Sequence, residues 1–241
     1  MNILLPMVGH SEYFSKDIFP FPYPTIEIQN KTIIELVIRN LRSISSEPKF
    51  IFLIRDSDAS AHHLDRILNL ATNTNAEIIS LSNITKGALC TSLMAIEHID
   101  NEEPLIIANS DQLFEIELNQ YVKQFENSTA GVLTFNSVHP RWSYVKVDKN
   151  NMVIESAEKK PISRSAIAGF FYFKKGSIFV KYAKEVIKKD IQINNKFYIS
   201  SVLNEIILDA GFVSSINIPN SKYHSLYTPQ KIREYERYIN N

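Results

Sequence analysis

Asp111 is the residue best placed to do chemistry. It ends the run Pro104-Leu105-Ile106-Ile107-Ala108-Asn109-Ser110-Asp111-Gln112, in which an apolar strand stops and a carboxylate appears just past its C-terminus. In an open α/β sheet that position faces the ligand crevice. A hard carboxylate there suits Mg²⁺, which takes one or two protein carboxylates and fills its shell with phosphate oxygens and water. Asn-Ser-Asp is also good turn and helix-cap chemistry, so an ordinary turn aspartate is the competing reading.

Three further groups of residues could contribute. The loop Gly9-His10-Ser11-Glu12-Tyr13-Phe14 follows the first apolar run. Such loops cradle phosphates through backbone N–H groups, although one glycine also suits a plain connection. Glu158-Lys159-Lys160-Pro161 follows another strand-like run and offers a local cation, or a solvated surface. Histidines 10, 62, 63, 98, 139 and 224 lack metal-ligand spacing. His62 and His63 are expected to begin a solvent-facing helix, and His10 and His224 to lie in crevice loops. The single cysteine, Cys90, excludes an intrachain disulfide and a Cys-based zinc site, and its apolar surroundings read as a buried thiol on a helix.

The elements that must hold these residues are legible from periodicity. Ile3 to Val8, Phe50 to Ile54, Glu77 to Leu81 and Pro104 to Ala108 read as buried strands. Between them Ile33, Ile34, Leu36, Val37, Ile38 and Leu41, then Leu64, Ile67, Leu68 and Leu70, then Leu89, Leu93, Met94 and Ile96 recur at helical spacing. That alternation predicts a mainly parallel sheet with helices on both faces. After Asp111 the runs Val132 to Phe135, Tyr144 to Val147, Val153 to Ser156 and Ile167 to Phe173 have short connections, which predicts antiparallel additions. Helices over Gly176 to Lys189 and Phe197 to Ala210, a strand over Val213 to Ile218 and a charged helix from Pro229 complete the pattern.

Composition bounds the rest. The 241 residues are 44% hydrophobic, enough for a sizeable core, and show no linker or repeat, so one domain over 1–241 is expected. Lys plus Arg and Asp plus Glu are 26 each, so no long-range field collects nucleic acid or an anionic membrane. Phosphate-binding charge must then be local. The N-terminus has no basic region followed by an apolar stretch, and no window has the length of a membrane span, so a cytoplasmic location is expected.

Taken in order, these segments resemble the sugar-nucleotide pyrophosphorylase-like nucleotidyltransferases, and are most similar to a bacterial branch often found with capsule and surface-glycan genes. The resemblance runs through Leu5-Pro6-Met7-Val8-Gly9, Pro22-Tyr23-Pro24-Thr25, Lys31-Thr32-Ile33-Ile34-Glu35 and Thr85-Lys86-Gly87-Ala88. It continues through Ile107 to Gln112, His139-Pro140-Arg141-Trp142-Ser143-Tyr144, Ala157 to Ser163, Ala168 to Phe173, Asn195 to Tyr198 and Thr228-Pro229. It implies a Rossmann-like (GT-A-like) mixed sheet. It also implies transfer of a nucleotidyl group from a nucleoside triphosphate, a pyrimidine (CTP or UTP/dTTP), to a phosphorylated acceptor, with release of pyrophosphate and dependence on Mg²⁺. By that resemblance Asp111 holds the metal, and Pro6, Met7, Val8, Gly9, Gly87, Ala88 and Asn109 bind the nucleotide. Tyr144, Glu158 and Gly169 meet the acceptor, with Lys159 on its phosphate. Nucleic acid and membrane are not among the implied partners, and oligomerisation is left open.

The chain departs from the family pattern in its phosphate grip. The first loop has neither the arginine nor the second glycine of the family, and Glu12 would repel phosphate. Pro22-Tyr23-Pro24 replaces Pro-Lys-Pro, and Ser225 stands where many members carry a second metal carboxylate, which this branch often lacks. Lys16, Lys31 or Lys86 could compensate, Lys16 foremost. Two other functions therefore remain open: a nucleotide-binding paralogue with impaired turnover, and a glycosyltransferase of the GT-A type, for which Asn109-Ser110-Asp111 supplies half of an Asp-X-Asp motif.

Overall fold

The computed structural model describes residues 1–9, 13–14 and 19–240. The chain opens with strand β1 (Asn2–Pro6), the short pair β2 (Glu27–Ile28) and β3 (Lys31–Thr32), and helix α1 (Ile33–Arg42). Then come β4 (Lys49–Arg55), α2 (Asp56–His62), α3 (Leu64–Ala71), β5 (Ala76–Leu81), α4 (Ala88–Leu93), α5 (Ile96–Ile99) and β6 (Leu105–Ala108). Past Asp111 lie β7 (Gln112–Phe114), α6 (Leu118–Lys123), β8 (Ala130–Asn136), β9 (Ser143–Val147), β10 (Val153–Glu158) and β11 (Ser165–Phe173). The chain ends with α7 (Gly176–Lys188), α8 (Ser200–Leu208), β12 (Val213–Asn217), β13 (Tyr223–Ser225) and α9 (Pro229–Ile239).

Nine strands form one mixed sheet with the path β10-β9-β11-β6-β1-β4-β5; β8 joins at β11 and carries β12 on its outer edge. The first-half strands β6, β1, β4 and β5 are mutually parallel. The added strand β11 runs antiparallel to β6, β8 and β9, as its short connections predict. β12 follows β11 through α7 and α8 and lies parallel to β8.

Strand alternation splits the core into two layers. Ile3, Leu5, Phe50, Phe52 and Ile54 face one side, where Ile34, Ile38, Leu41 and Leu68 of α1 and α3 pack on them. Leu4, Ile51 and Leu53 face the other, where Phe179, Val186, Val202 and Ile206 of α7 and α8 pack. Helices thus cover both faces. Helix α1 illustrates the local logic. Its apolar residues fall on one stripe, and a capping box starts it: Glu35 N–H donates to Thr32 Oγ1, and Thr32 N–H donates to Glu35 Oε2 at 2.7 Å.

Some boundaries move. α8 starts at Ser200, so Phe197 precedes it. His62 ends α2, and His63 sits at φ 53° in the left-handed turn to α3, so the two residues break a helix rather than begin one. Cys90 lies on α4 as expected but is only half-buried. Among the described residues no helix is long and apolar enough to cross a membrane.

Candidate active site

β6 delivers the site. All four of its residues are buried, and the chain turns at Asn109–Asp111 directly past its C-terminal end. Gly169 braces that turn. Its carbonyl accepts from Asn109 N–H at 3.0 Å and from Gln112 Nε2 at 2.8 Å. Gly169 lies within the irregularity of the β11–β8 register between Ile167 and Phe171, at φ +61°. A Cβ there would lie 2.4 Å from Asn109 Nδ2, so both its backbone conformation and its close neighbours call for glycine. From the other side, β7 is held by α1 through Asn40, whose side chain donates to Phe114 O and accepts from Phe114 N–H, each at 2.8 Å. β13 pairs antiparallel with β7, placing Ser225 opposite Gln112, and Leu226 N–H donates to Asp111 O at 2.7 Å.

The Asp111 carboxyl is packed round by protein and keeps one edge toward the crevice. Burial pushes its pKa up from 3.8 to about 6, tempered by the Arg141 charge and by its own backbone N–H. Among the described residues it has no cationic partner within 4 Å, and no cluster of three or more His, Cys, Asp or Glu forms a complete metal cage. A lone, under-compensated carboxylate beside open space fits a Mg²⁺ that takes its other ligands from phosphate and water.

Two cavities meet at this carboxylate. The larger, about 480 Å³, is lined by Pro6, Met7, Gly9, the Phe19–Pro24 loop, Arg55 and one face of α2 from Ser57 to His62. The smaller, about 270 Å³, is lined by Ala88, Asn109, Ser143, Glu158, Gly169, Tyr198 and Ser200. Asp111, Arg141 and Tyr227 border both. In the larger cavity Tyr23 occupies the expected lysine position. It is half-buried, its hydroxyl donates to Leu226 O at 3.4 Å, and burial with the nearby Asp111 charge raises its pKa well above the usual tyrosine range. In the smaller cavity Glu158 accepts from the hydroxyls of Ser143 and Ser200, the latter at 2.9 Å. Burial raises its pKa, and the two hydroxyls and Lys159 oppose that rise.

The expected set is brought together unevenly. Pro6, Met7, Gly9, Ala88, Asn109, Asp111, Glu158 and Gly169 border one or other cavity. Lys159 is exposed at φ 55°, with its Nζ 5.6 Å from the centre of the Tyr198 ring at the rim. Val8 and Gly87 line neither cavity. Val8 packs under the sheet, and Gly87 is pressed against Phe197, whose carbonyl oxygen would lie 2.3 Å from a Cβ. Tyr144 points away from the acceptor side. Alternation along β9 turns its ring into the core, where its hydroxyl donates to His139 O at 2.7 Å, and Ser143 faces the cavity instead. His224 lies in β13 rather than in a crevice loop, 3.2 Å from Glu115, and borders a third cavity. Lys31 and Lys86 line neither crevice cavity, and His10, Glu12 and Lys16 lie outside the described residues.

Arg141, Tyr227, Ser143 and Ser200 had no role in the sequence reading. Arg141 and Ser143 lie in the His139–Tyr144 segment that carries the resemblance, where an arginine beside a tryptophan was the signal, and Tyr227 and Ser200 had none.

A family model described as nucleotidyl transferase matches residues 20–210. No curated protein matches the chain. Among solved structures, a nucleoside-diphosphate-sugar pyrophosphorylase from Vibrio cholerae RC9 is similar at 20% identity and a TM-score of 0.85, over 98% of this chain and 99% of that one. A protein assigned as a glucose-1-phosphate thymidylyltransferase from Bacillus anthracis has 14% identity and a TM-score of 0.77, over 100% and 95% of the two chains. The inositol-1-phosphate CTP transferase of T. maritima has 11% identity and a TM-score of 0.74, over 100% and 96%. These likenesses bear on the fold, which all three share with this chain. The family model spans well over half of the 241 residues, and the chain belongs to the nucleotidyl transferase family.

Proposed function

We propose that the chain, acting as one unit over residues 1–241, is a Mg²⁺-dependent enzyme. It joins a pyrimidine nucleoside triphosphate to a phosphorylated small acceptor, such as a sugar phosphate, and releases pyrophosphate in the cytoplasm for surface-polysaccharide precursors. The observation that carries this reading is the position of Asp111, an under-compensated carboxylate where two cavities meet. An acceptor phosphate oxygen attacks the α-phosphorus, the new P–O bond forms, and the bond to the β-phosphate oxygen breaks. Such a reaction asks a protein for alignment and charge compensation more than for covalent chemistry.

When bound at Asp111, Mg²⁺ would supply positive charge to the phosphates. The chain's own groups do the rest. Pro6, Met7, Gly9, Ala88 and Asn109 border the cavities where the nucleotide would lie. Glu158, held by Ser143 and Ser200, presents a fixed acceptor of hydrogen bonds to a sugar hydroxyl. Lys159 at the rim can reach the acceptor phosphate.

The test is pyrophosphate release from each of the four nucleoside triphosphates, with Mg²⁺ and a panel of sugar and polyol phosphates. Release is expected with one pyrimidine nucleotide and one acceptor, and Asp111→Asn should lower it by roughly 10²-fold or more. Nucleotide binding without release for any pair would reject turnover and favour an impaired paralogue. The neutral Tyr23 in the lysine position is the observation on that side. Sugar transfer from a nucleotide sugar would instead favour a glycosyltransferase.

A further inference from the structure

We infer that Arg141 is the phosphate clamp of this crevice, an arginine held edge-on to the point of transfer by an aromatic stack, standing in for the cation that Tyr23 cannot supply. The inference rests on the proposed nucleotidyl transfer for its role, but the anion seat itself is a separate claim.

The geometry is specific. The Arg141 guanidinium carbon lies 3.2 Å from the centre of the Tyr227 ring and 4.8 Å from that of Trp142, with Tyr13 at 5.8 Å. Trp142 and Tyr227 in turn pack edge to face at 5.9 Å. An arginine in contact with aromatic faces keeps its charge and loses side-chain freedom, while the N–H donors at its rim stay available. Among the described residues no carboxylate lies within 4 Å of this guanidinium, and none of its N–H groups has an acceptor. A half-buried cation whose donors have no acceptor among the described residues is an anion site in waiting.

Its place in the crevice selects the anion. Arg141 borders both cavities with Asp111 and Tyr227 and so stands where a donor and an acceptor would meet. Among the described residues it is the one Lys or Arg lining the smaller cavity. In the larger cavity the other such side chain, Arg55, is bonded to Asp58 at 2.9 Å. A planar guanidinium can donate two parallel N–H bonds to two oxygens of one phosphate. The ligand class is therefore a phosphate oxyanion at the junction, from either the nucleotide's polyphosphate or the acceptor's phosphate.

Calorimetric titration of wild type, Arg141→Gln and Arg141→Lys with inorganic tripolyphosphate, and separately with glucose 1-phosphate, tests this without requiring turnover. Melting curves establish that the variants are folded. Arg141→Gln should weaken at least one of the two anions by about 10- to 100-fold. Arg141→Lys, which keeps charge but not the planar fork, should fall between. The anion more affected identifies the source of the phosphate. If both variants bind both anions as wild type does, the clamp is wrong, even with pyrophosphate release intact. If wild type binds neither anion, the clamp is equally wrong. Weakened anion binding in a protein that releases no pyrophosphate with any pair would leave the clamp standing and remove the proposed reaction.

Discussion

At the scale of single residues, the buried carboxyl of Asp111 costs the ligand-free fold stability. Asp111 has a folded pKa of about 6 against an ordinary 3.8, so its ionised form is the less stable one in the folded chain. Stability from this group is fullest below pH 3.8 and is lost as pH rises toward 6. Asp111→Asn should therefore raise the melting temperature of the ligand-free protein in EDTA at pH 7.5, and should have no such effect near pH 3.5. A shift of this size corresponds to at most about 3 kcal/mol, and the solvated edge of the carboxyl reduces that. An increase of a few degrees, together with lost turnover, is the expected signature. Equal melting of variant and wild type at pH 7.5 would show that the carboxyl is not strained by burial. The same aspartate was visible in the sequence as a carboxylate past a strand end. Arg141 was not, because its stack on Tyr227 joins two distant segments that only the closed structure brings together.

At the scale of elements, the irregular stretch of β11 carries the most consequence. Gly169 turns the strand at φ +61° and gives its carbonyl to both Asn109 and Gln112, so the strand irregularity and the Asp111 turn are one structural unit. Gly169→Ala should lose about 1–3 kcal/mol of stability from the left-handed backbone and the displaced Asn109. It should also raise the acceptor KM, as Gly169 borders the smaller cavity. An alanine variant that melts and turns over like wild type would show that the turn does not depend on this glycine. Gly87 looks similar in sequence yet serves packing, since its missing Cβ makes room for the Phe197 backbone. The long strands and α1 were legible because periodicity and a capping box mark them. β7 and β13 were not, since three residues are too few to show a period. α2, with the sequence Asp-Ser-Asp-Ala-Ser-Ala-His, has no apolar stripe to reveal it.

At the scale of the whole molecule, two apolar layers around one sheet hold the crevice. The chain has no net charge, so the proposed nucleotide capture would depend on local groups at the junction rather than on a long-range field. A ligand that binds only the folded chain stabilises it by RT ln(1 + [L]/Kd), about 2.7 kcal/mol at a hundredfold excess over Kd. For a chain of this size that amounts to a rise of roughly 5–10 °C. The cognate triphosphate with Mg²⁺ should produce that rise in wild type, and a smaller one in Asp111→Asn. An identical rise in both proteins would remove Asp111 from the nucleotide's metal.

The order of the long strands and the amphipathic helices, and the place of the carboxylate at the end of β6, were determined by the sequence alone. Burying a strand on both faces demands an unbroken apolar run, and burying a helix on one face demands a stripe, and both leave a local record. Which side chains meet was decided by tertiary structure. Alternation along β9 turns Tyr144 into the core and Ser143 toward Glu158, and α8 brings Ser200 to that same carboxylate across 42 positions. Closing β13 onto β7 sets Tyr227 beneath Arg141. Such contacts depend on register and on sheet closure, and a single sequence carries no local signal of either.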